Sequence, residues 1–254
     1  MSKPLRTLAA ALAAAPFVAQ AAYVDIKFDN PIFTGMPAPA YDAVTITYPK
    51  ASGSGSQTAS VAAGRFQGTA TNLVGVSPSV FVDGVDDVYM YCYDIYEHVY
   101  GGQSATYEID FDGETARTLD FLGAVNAVLN QGKAEFDVYA WLRPTTGQMG
   151  AAIQLGIWES LYETSPDWSL SSGSFKATGI DAPTSVYLAS FLAAIDSSPS
   201  LDGRHAMVLR ADGIQDMITG DPPMTNDVPE PGSLALLALA GAALWRQRRV
   251  VSRA

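Results

Sequence analysis

A chain with one cysteine cannot staple itself, and Cys92 is the only cysteine among the 254 residues. Outside the reducing cytoplasm such a chain must hold together by burying apolar surface. Its thiol is then packed in the core, paired between molecules, or reactive. The first residues indicate export. Lys3 and Arg6 form a charged start, Leu8 to Val18 a short apolar run, and Ala19-Gln20-Ala21 a small-residue cleavage site. Together these parts make residues 1–21 a secretory signal peptide. The apolar run falls short of the roughly 20 residues that a spanning helix needs. Residues 22–227 are then expected to form one exported domain, long enough for a sizeable core.

The last residues carry a second pattern. Val228-Pro229-Glu230-Pro231-Gly232-Ser233 precedes an apolar run, Leu234 to Trp245, which is followed by Arg246, Arg248 and Arg249. Prolines on both sides of Glu230 hold the chain extended, in a shape that a protease binds as a strand. The arginines would stay on the cytoplasmic side of a membrane. This three-part tail resembles the PEP-CTERM sorting signal of Gram-negative bacteria. The resemblance implies that residues 228–254 lodge transiently in the membrane as a short helix. It also implies that an exosortase-type enzyme recognises Pro229, Glu230 and Pro231 and removes the tail. The body would then reach the cell surface or an exopolysaccharide matrix. An ordinary tail anchor would share the topology without the cleavage.

Removing both ends sharpens the charge balance. Residues 22–227 hold nine of the 15 bases and 25 of the 26 acids, a net charge of −16. Such a surface repels nucleic acid and anionic membranes and favours cationic partners. No phosphate loop, dinucleotide fingerprint or zinc-type cysteine spacing is present, so neither cofactor nor metal is expected. Asp83, Asp86 and Asp87 around Gly84 are hard ligands of the kind calcium takes. They lack the spaced acids of a calcium loop and read as a solvated turn.

Period-two stretches come first. Tyr23 to Phe28 and Ala43 to Tyr48 alternate, with a proline-rich loop from Asn30 to Ala40 between them. Ala51 to Gln57 reads as a flexible hairpin tip. Arg65 to Asn72, Val88 to Val99 and Ser104 to Phe111 are further strands, and Phe136 to Leu142 is a short strand or extended segment. Helical spacing takes over at Thr115 to Asn130, Gly147 to Glu163 and Asp181 to Asp196. His205 to Ala211 and Gly213 to Ile218 read as closing strands. The expected fold is α+β: one β-rich domain, sandwich-like or barrel-like, with about three helices packed on it.

Two stretches carry the chemistry. In Met90-Tyr91-Cys92-Tyr93-Asp94, Cys92 shares a strand face with Val88 and Met90 and points inward. In Ile153-Gln154-Leu155-Gly156-Ile157-Trp158-Glu159, Gln154 shares an apolar helix face with Ile157, Trp158 and Leu161. A buried carboxamide left unpaired costs about 1–3 kcal/mol, so Gln154 needs a partner. Thiolate attack on that carboxamide, releasing ammonia and leaving an internal thioester, would account for both residues. A free core cysteine beside a hydrogen-bonded core glutamine is the plainer alternative.

The aromatic-Cys-x-Asp motif followed by a Gln-x-small-apolar-Trp helix resembles the bacterial thioester domain of surface adhesins, over about Val80 to Thr164. The resemblance implies a Cys92–Gln154 cross-link in a β-rich body, with helices packed over the bond. It departs from the family pattern at Tyr93, at Ile153 in place of threonine, and at Gly156 in place of alanine. Trp158 would shield the bond, while Asp94 and Glu159 would steer proton transfers. The implied role is single-use covalent attachment to an amine-bearing surface partner, not enzymatic turnover. Rival readings remain open. One is a non-covalent matrix protein that contacts extracellular polysaccharide, for which the tyrosines at 89, 91, 93, 96 and 100 would serve. Another is an inert spacer. A cysteine hydrolase would need His98 or His205, and His98 lies about 20 Å along an extended strand from Cys92.

Overall fold

The structure, a computed structural model, describes residues 21–222. The expected signal peptide (save Ala21) and the sorting segment with its membrane helix lie outside the described residues. Among the described residues, no helix is long and apolar enough to cross a membrane.

Six strands close into an antiparallel barrel: β1 (Tyr23–Phe28), β4 (Phe66–Val74), β5 (Val88–Cys92), β9 (Ile214–Thr219), β8 (Met207–Ala211) and β6 (Ser104–Asp110), in that order around the ring. Alternation drives the closure. Val24, Ile26 and Phe28 of β1 and Ala105, Tyr107 and Ile109 of β6 are buried, which places every second side chain inside. Phe28 stands edge-on to Phe66 and Tyr107, with ring centroids 6.5 and 6.4 Å apart. β8 and β9, the last strands of the described residues, lie between β5 and β6 and complete the ring. The order along the sequence, strands then helices, does not carry over to space.

A separate three-stranded sheet has the order β3 (Ser56–Ala63), β2 (Asp42–Pro49), β7 (Lys176–Thr178). The hairpin tip between β2 and β3 is closed by Lys50 N–H donating to Gly55 O at 3.0 Å. Gly53 and Gly55 supply the left-handed backbone there, with φ of 79° and 81°. The expected tip at Ala51 to Gln57 is therefore correct at its centre, but the strand that follows it went unread.

Three α-helices form: α1 (Ala116–Leu129), α2 (Gly147–Tyr162) and α3 (Ala182–Ala194). Thr115 and Thr146 cap the first two, each side-chain oxygen accepting from the N–H three residues on at 3.1 Å. α2 lies against α1, α3, β2 and β3. From Met149 to Ser160 every residue is buried. This corrects the expectation of one apolar face: α2 is enclosed on all sides.

One strand expectation is also corrected, and at Phe136 to Leu142 the strand alternative falls away. β5 stops at Cys92, because the Asp94 carboxylate accepts from Tyr96 N–H at 2.8 Å and turns the chain away. The segment Phe136 to Leu142 has no strand partner. It ends in a 3₁₀ turn at Ala140–Leu142, its backbone held by the amides of Asn126 and Asn130.

Candidate functional site: the buried Cys92–Gln154 pair

β5 extends past its neighbour. β4 begins at Phe66, opposite Met90, so on that side Cys92 has no strand beside it. Cys92 lies opposite Met217 on β9, yet it is Tyr93 N–H that donates to Asp216 O, at 2.7 Å. In an antiparallel ladder this alternation turns the N–H and C=O of Cys92 away from β9. Both groups are taken by one side chain of α2. Cys92 N–H donates to Gln154 Oε1, and Gln154 Nε2 donates to Cys92 O, each at 2.8 Å. The carboxamide stands in for the absent strand, and Cys92 and Gln154 are both fully buried.

The thiol has its own surroundings. Trp158, one helical turn beyond Gln154, donates its indole N–H to Cys92 Sγ at 3.3 Å. Sγ in turn bonds the Asp94 carbonyl oxygen. Burial pushes the Cys92 thiol far above its ordinary pKa, with the indole bond opposing part of that rise. At neutral pH the sulfur is a protonated thiol.

Of the expected supporting residues, Trp158 touches the sulfur and is itself buried. Asp94 contributes its main chain, and its carboxylate is held by Tyr96 N–H and, at 3.4 Å, by the Tyr162 hydroxyl. Glu159 faces elsewhere. Its carboxylate accepts from Ser169 N–H at 2.9 Å and lies 4.0 Å from Arg117. Burial lifts its pKa to about 7. Two residues that the sequence reading missed complete the surroundings. The Tyr162 hydroxyl accepts from Ile95 N–H at 3.1 Å, and Gln215 Nε2 donates to Asp94 O at 3.0 Å. Tyr162 was findable, since Gln154, Trp158 and Tyr162 recur every fourth residue along one helix stripe.

A cavity of about 330 Å³ opens beside this pair, lined by Val61, Ile95, His98, Tyr100, Trp158 and Gln215 among others. His98 thus lies near the thiol region, but Sγ bonds Trp158 and Asp94 and no histidine. His205 is bonded to the Tyr139 hydroxyl at 2.9 Å. Asp83 is engaged by Arg143 and Asp87 by Gln67. The five tyrosines do not form one exposed face: Tyr91 and Tyr93 are buried, and Tyr100 is the most exposed.

Barrel, helical layer and buried thiol–carboxamide pair define a β-rich body with an enclosed, hydrogen-bonded Cys92–Gln154 pair. Residues 227–249 match the PEP-CTERM protein-sorting motif. The chain therefore carries an exosortase-type sorting signal, which implies export, membrane-associated processing and then a cell-surface or extracellular location. The match covers Pro229, Glu230 and Pro231 and does not reach Cys92 or Gln154. No curated protein and no solved structure matches the chain.

Proposed function

We propose that this surface-sorted protein attaches covalently to an amine on a partner through an internal thioester between Cys92 and Gln154. The observation that carries the reading is the double hydrogen bond that holds the Gln154 carboxamide on the cysteine's own backbone, in a site without water access. Sγ adds to Gln154 Cδ, the C–N bond breaks, and the thiol proton leaves with the nitrogen as ammonia. The oxygen that gains negative charge in this step is Oε1, which already accepts the Cys92 N–H. That donor is an oxyanion hole of one group. The Trp158 indole N–H supports the sulfur as its proton departs. When a partner amine later attacks the acyl carbon, the C–S bond breaks and the amine's proton passes to Sγ. The product is an amide at Gln154 and a free thiol at Cys92. Each molecule reacts once, so the role is attachment rather than turnover.

One observation favours a second reading. Gln154 Nε2 is itself bonded to Cys92 O, and loss of ammonia would remove that donor. An intact amide fits a non-covalent matrix protein whose partner is extracellular polysaccharide. The intact mass of residues 22–227, before and after methylamine, separates the two. The thioester predicts a mass short by one ammonia that gains one methylamine, and no adduct once Cys92→Ala is introduced. The plain sequence mass, with a thiol that titrates on unfolding, would refute it.

A further inference from the structure

β3 presents an open edge beside the cavity that reaches Trp158. The turn bond between Lys50 and Gly55 fixes which residues of the hairpin exchange hydrogen bonds. Gln57, Ala59 and Val61 bond β2, while Ser56, Thr58, Ser60 and Ala62 turn their N–H and C=O groups outward. Pro49, opposite Ser56, falls at a non-bonded position where its missing N–H costs nothing. β3 is the end strand of its sheet. Among the described residues, no backbone group beyond the hairpin bonds that outer edge. Exposed edges are usually blocked by charge, proline or a bulge. The segment Ser-Gln-Thr-Ala-Ser-Val-Ala-Ala has no charge and no proline, and it pairs with β2 without a register shift.

This edge and Trp158 line one cavity. Ser60, Val61 and Ala62 of β3 line it together with Ile95, His98, Val99, Tyr100 and Trp158. The Trp158 side chain that lines the cavity donates its indole N–H to Cys92 Sγ. Val61, Ile95 and Val99 give the passage an aliphatic lining that suits the methylene stem of a lysine. The exported body's net charge of −16 favours a basic partner.

We propose that the free edge of β3 accepts an extended, lysine-bearing segment of a partner protein as an added strand, and that the adjoining cavity guides its ε-amine past Trp158 to the Gln154 acyl carbon. The covalent step rests on the thioester reading; the docking does not. Main-chain bonds to Thr58, Ser60 and Ala62 supply the affinity, and the inward side chain of the added strand enters the cavity. The ε-nitrogen then adds to the acyl carbon, the C–S bond breaks, and the amine's proton ends on Sγ.

The probe is a capped synthetic peptide of alternating valine and threonine with one central lysine, compared with methylamine on the exported protein. Docking makes the attack effectively intramolecular, so the peptide should label roughly a hundredfold faster than methylamine at equal concentration. N-methylation of the peptide's threonines, or Ser60→Pro in the protein, should bring that ratio down to about one. Equal rates with the unmodified peptide, or a ratio that survives both changes, would overturn the proposal. In Cys92→Ala, which forms no adduct, the peptide should still slow hydrogen exchange at the amides of Thr58, Ser60 and Ala62. Amides left unprotected would overturn docking. Protected amides in a protein whose wild type ignores methylamine would sustain the docking and refute the thioester alone. Protection that grows with protein concentration in the absence of peptide would mean that two β3 edges pair with each other, and would overturn the choice of partner.

Discussion

Gln154 has two tasks that mutation can separate from the chemistry. Its carboxamide satisfies two buried main-chain groups of Cys92, so Gln154→Leu leaves both unpaired. At about 1–3 kcal/mol for each group, the fold should lose roughly 2–6 kcal/mol in urea denaturation where the wild-type carboxamide is intact. A loss below 1 kcal/mol would mean that the paired geometry is not what holds β5 to α2. Trp158→Phe keeps the aromatic packing and removes the donor to Sγ. Under the covalent reading it should lower the fraction of molecules short by one ammonia, and an unchanged mass spectrum would deny the indole any part. The sequence made Cys92 and Gln154 legible because a lone thiol and a lone amide on apolar periodicities each demand a partner. It misplaced Glu159, which stands five positions beyond Gln154. At 3.6 residues per turn that is about 140° around the helix, enough to point the carboxylate at Ser169 and Arg117 instead.

At the scale of elements, α2 shows why a glycine can be the best residue inside a buried helix. At Gly156 the Phe121 ring of α1 occupies the space that a side chain would take. A Cβ at Gly156 would lie 1.9 Å from Phe121 Cζ and 2.2 Å from Cε2. Phe121 is fully buried and stacks on Trp168 with centroids 6.0 Å apart, so it has little room to retreat. Gly156→Ala should therefore destabilise the protein by about 1–3 kcal/mol through overpacking, despite alanine's better helix propensity. The double variant Gly156→Ala with Phe121→Leu should recover part of that loss. A melting temperature raised by the single change would show that α1 and α2 can move apart. The helices were legible because caps and apolar spacing agree in them, as Thr115 and Thr146 illustrate. β3 was not, because alanine and serine carry little β-propensity and its register comes from β2. β7 is only three residues long, too short for periodicity to register.

Closure of the barrel and enclosure of α2 act on the whole molecule through its buried acids. Burial raises the pKa of Glu159 to about 7 and of Asp221 to about 6, and it raises Glu114 and Asp216 as well. The Thr106 hydroxyl holds Asp25 below its ordinary value, and Arg210 does the same for Asp110. The two sets have opposite signs. For Glu159, the unfolded chain gives up its proton near pH 4.5 while the folded chain keeps it to about 7. Stability therefore falls as pH rises through that window and levels off above it. For a lowered carboxyl, the stability is present above its unfolded pKa and is lost as pH falls below about 4. Mutual repulsion within a body of net charge −16 reinforces the first trend. The protein should be most stable near pH 4–5 and weaker at pH 8. Glu159 is the test of this account, since its side chain is wholly buried and its Oε2 has no hydrogen-bond partner. Its rise from 4.5 to about 7 corresponds to roughly 3 kcal/mol. Glu159→Gln keeps an acceptor for Ser169 N–H and removes the ionisation. It should raise stability at pH 8 by about 2–3 kcal/mol, change it little at pH 4, and flatten the profile between. Chemical denaturation at the two pH values decides the matter. A variant as pH-sensitive as the wild type would shift the effect from the α1–α2 interface to the surface charge as a whole.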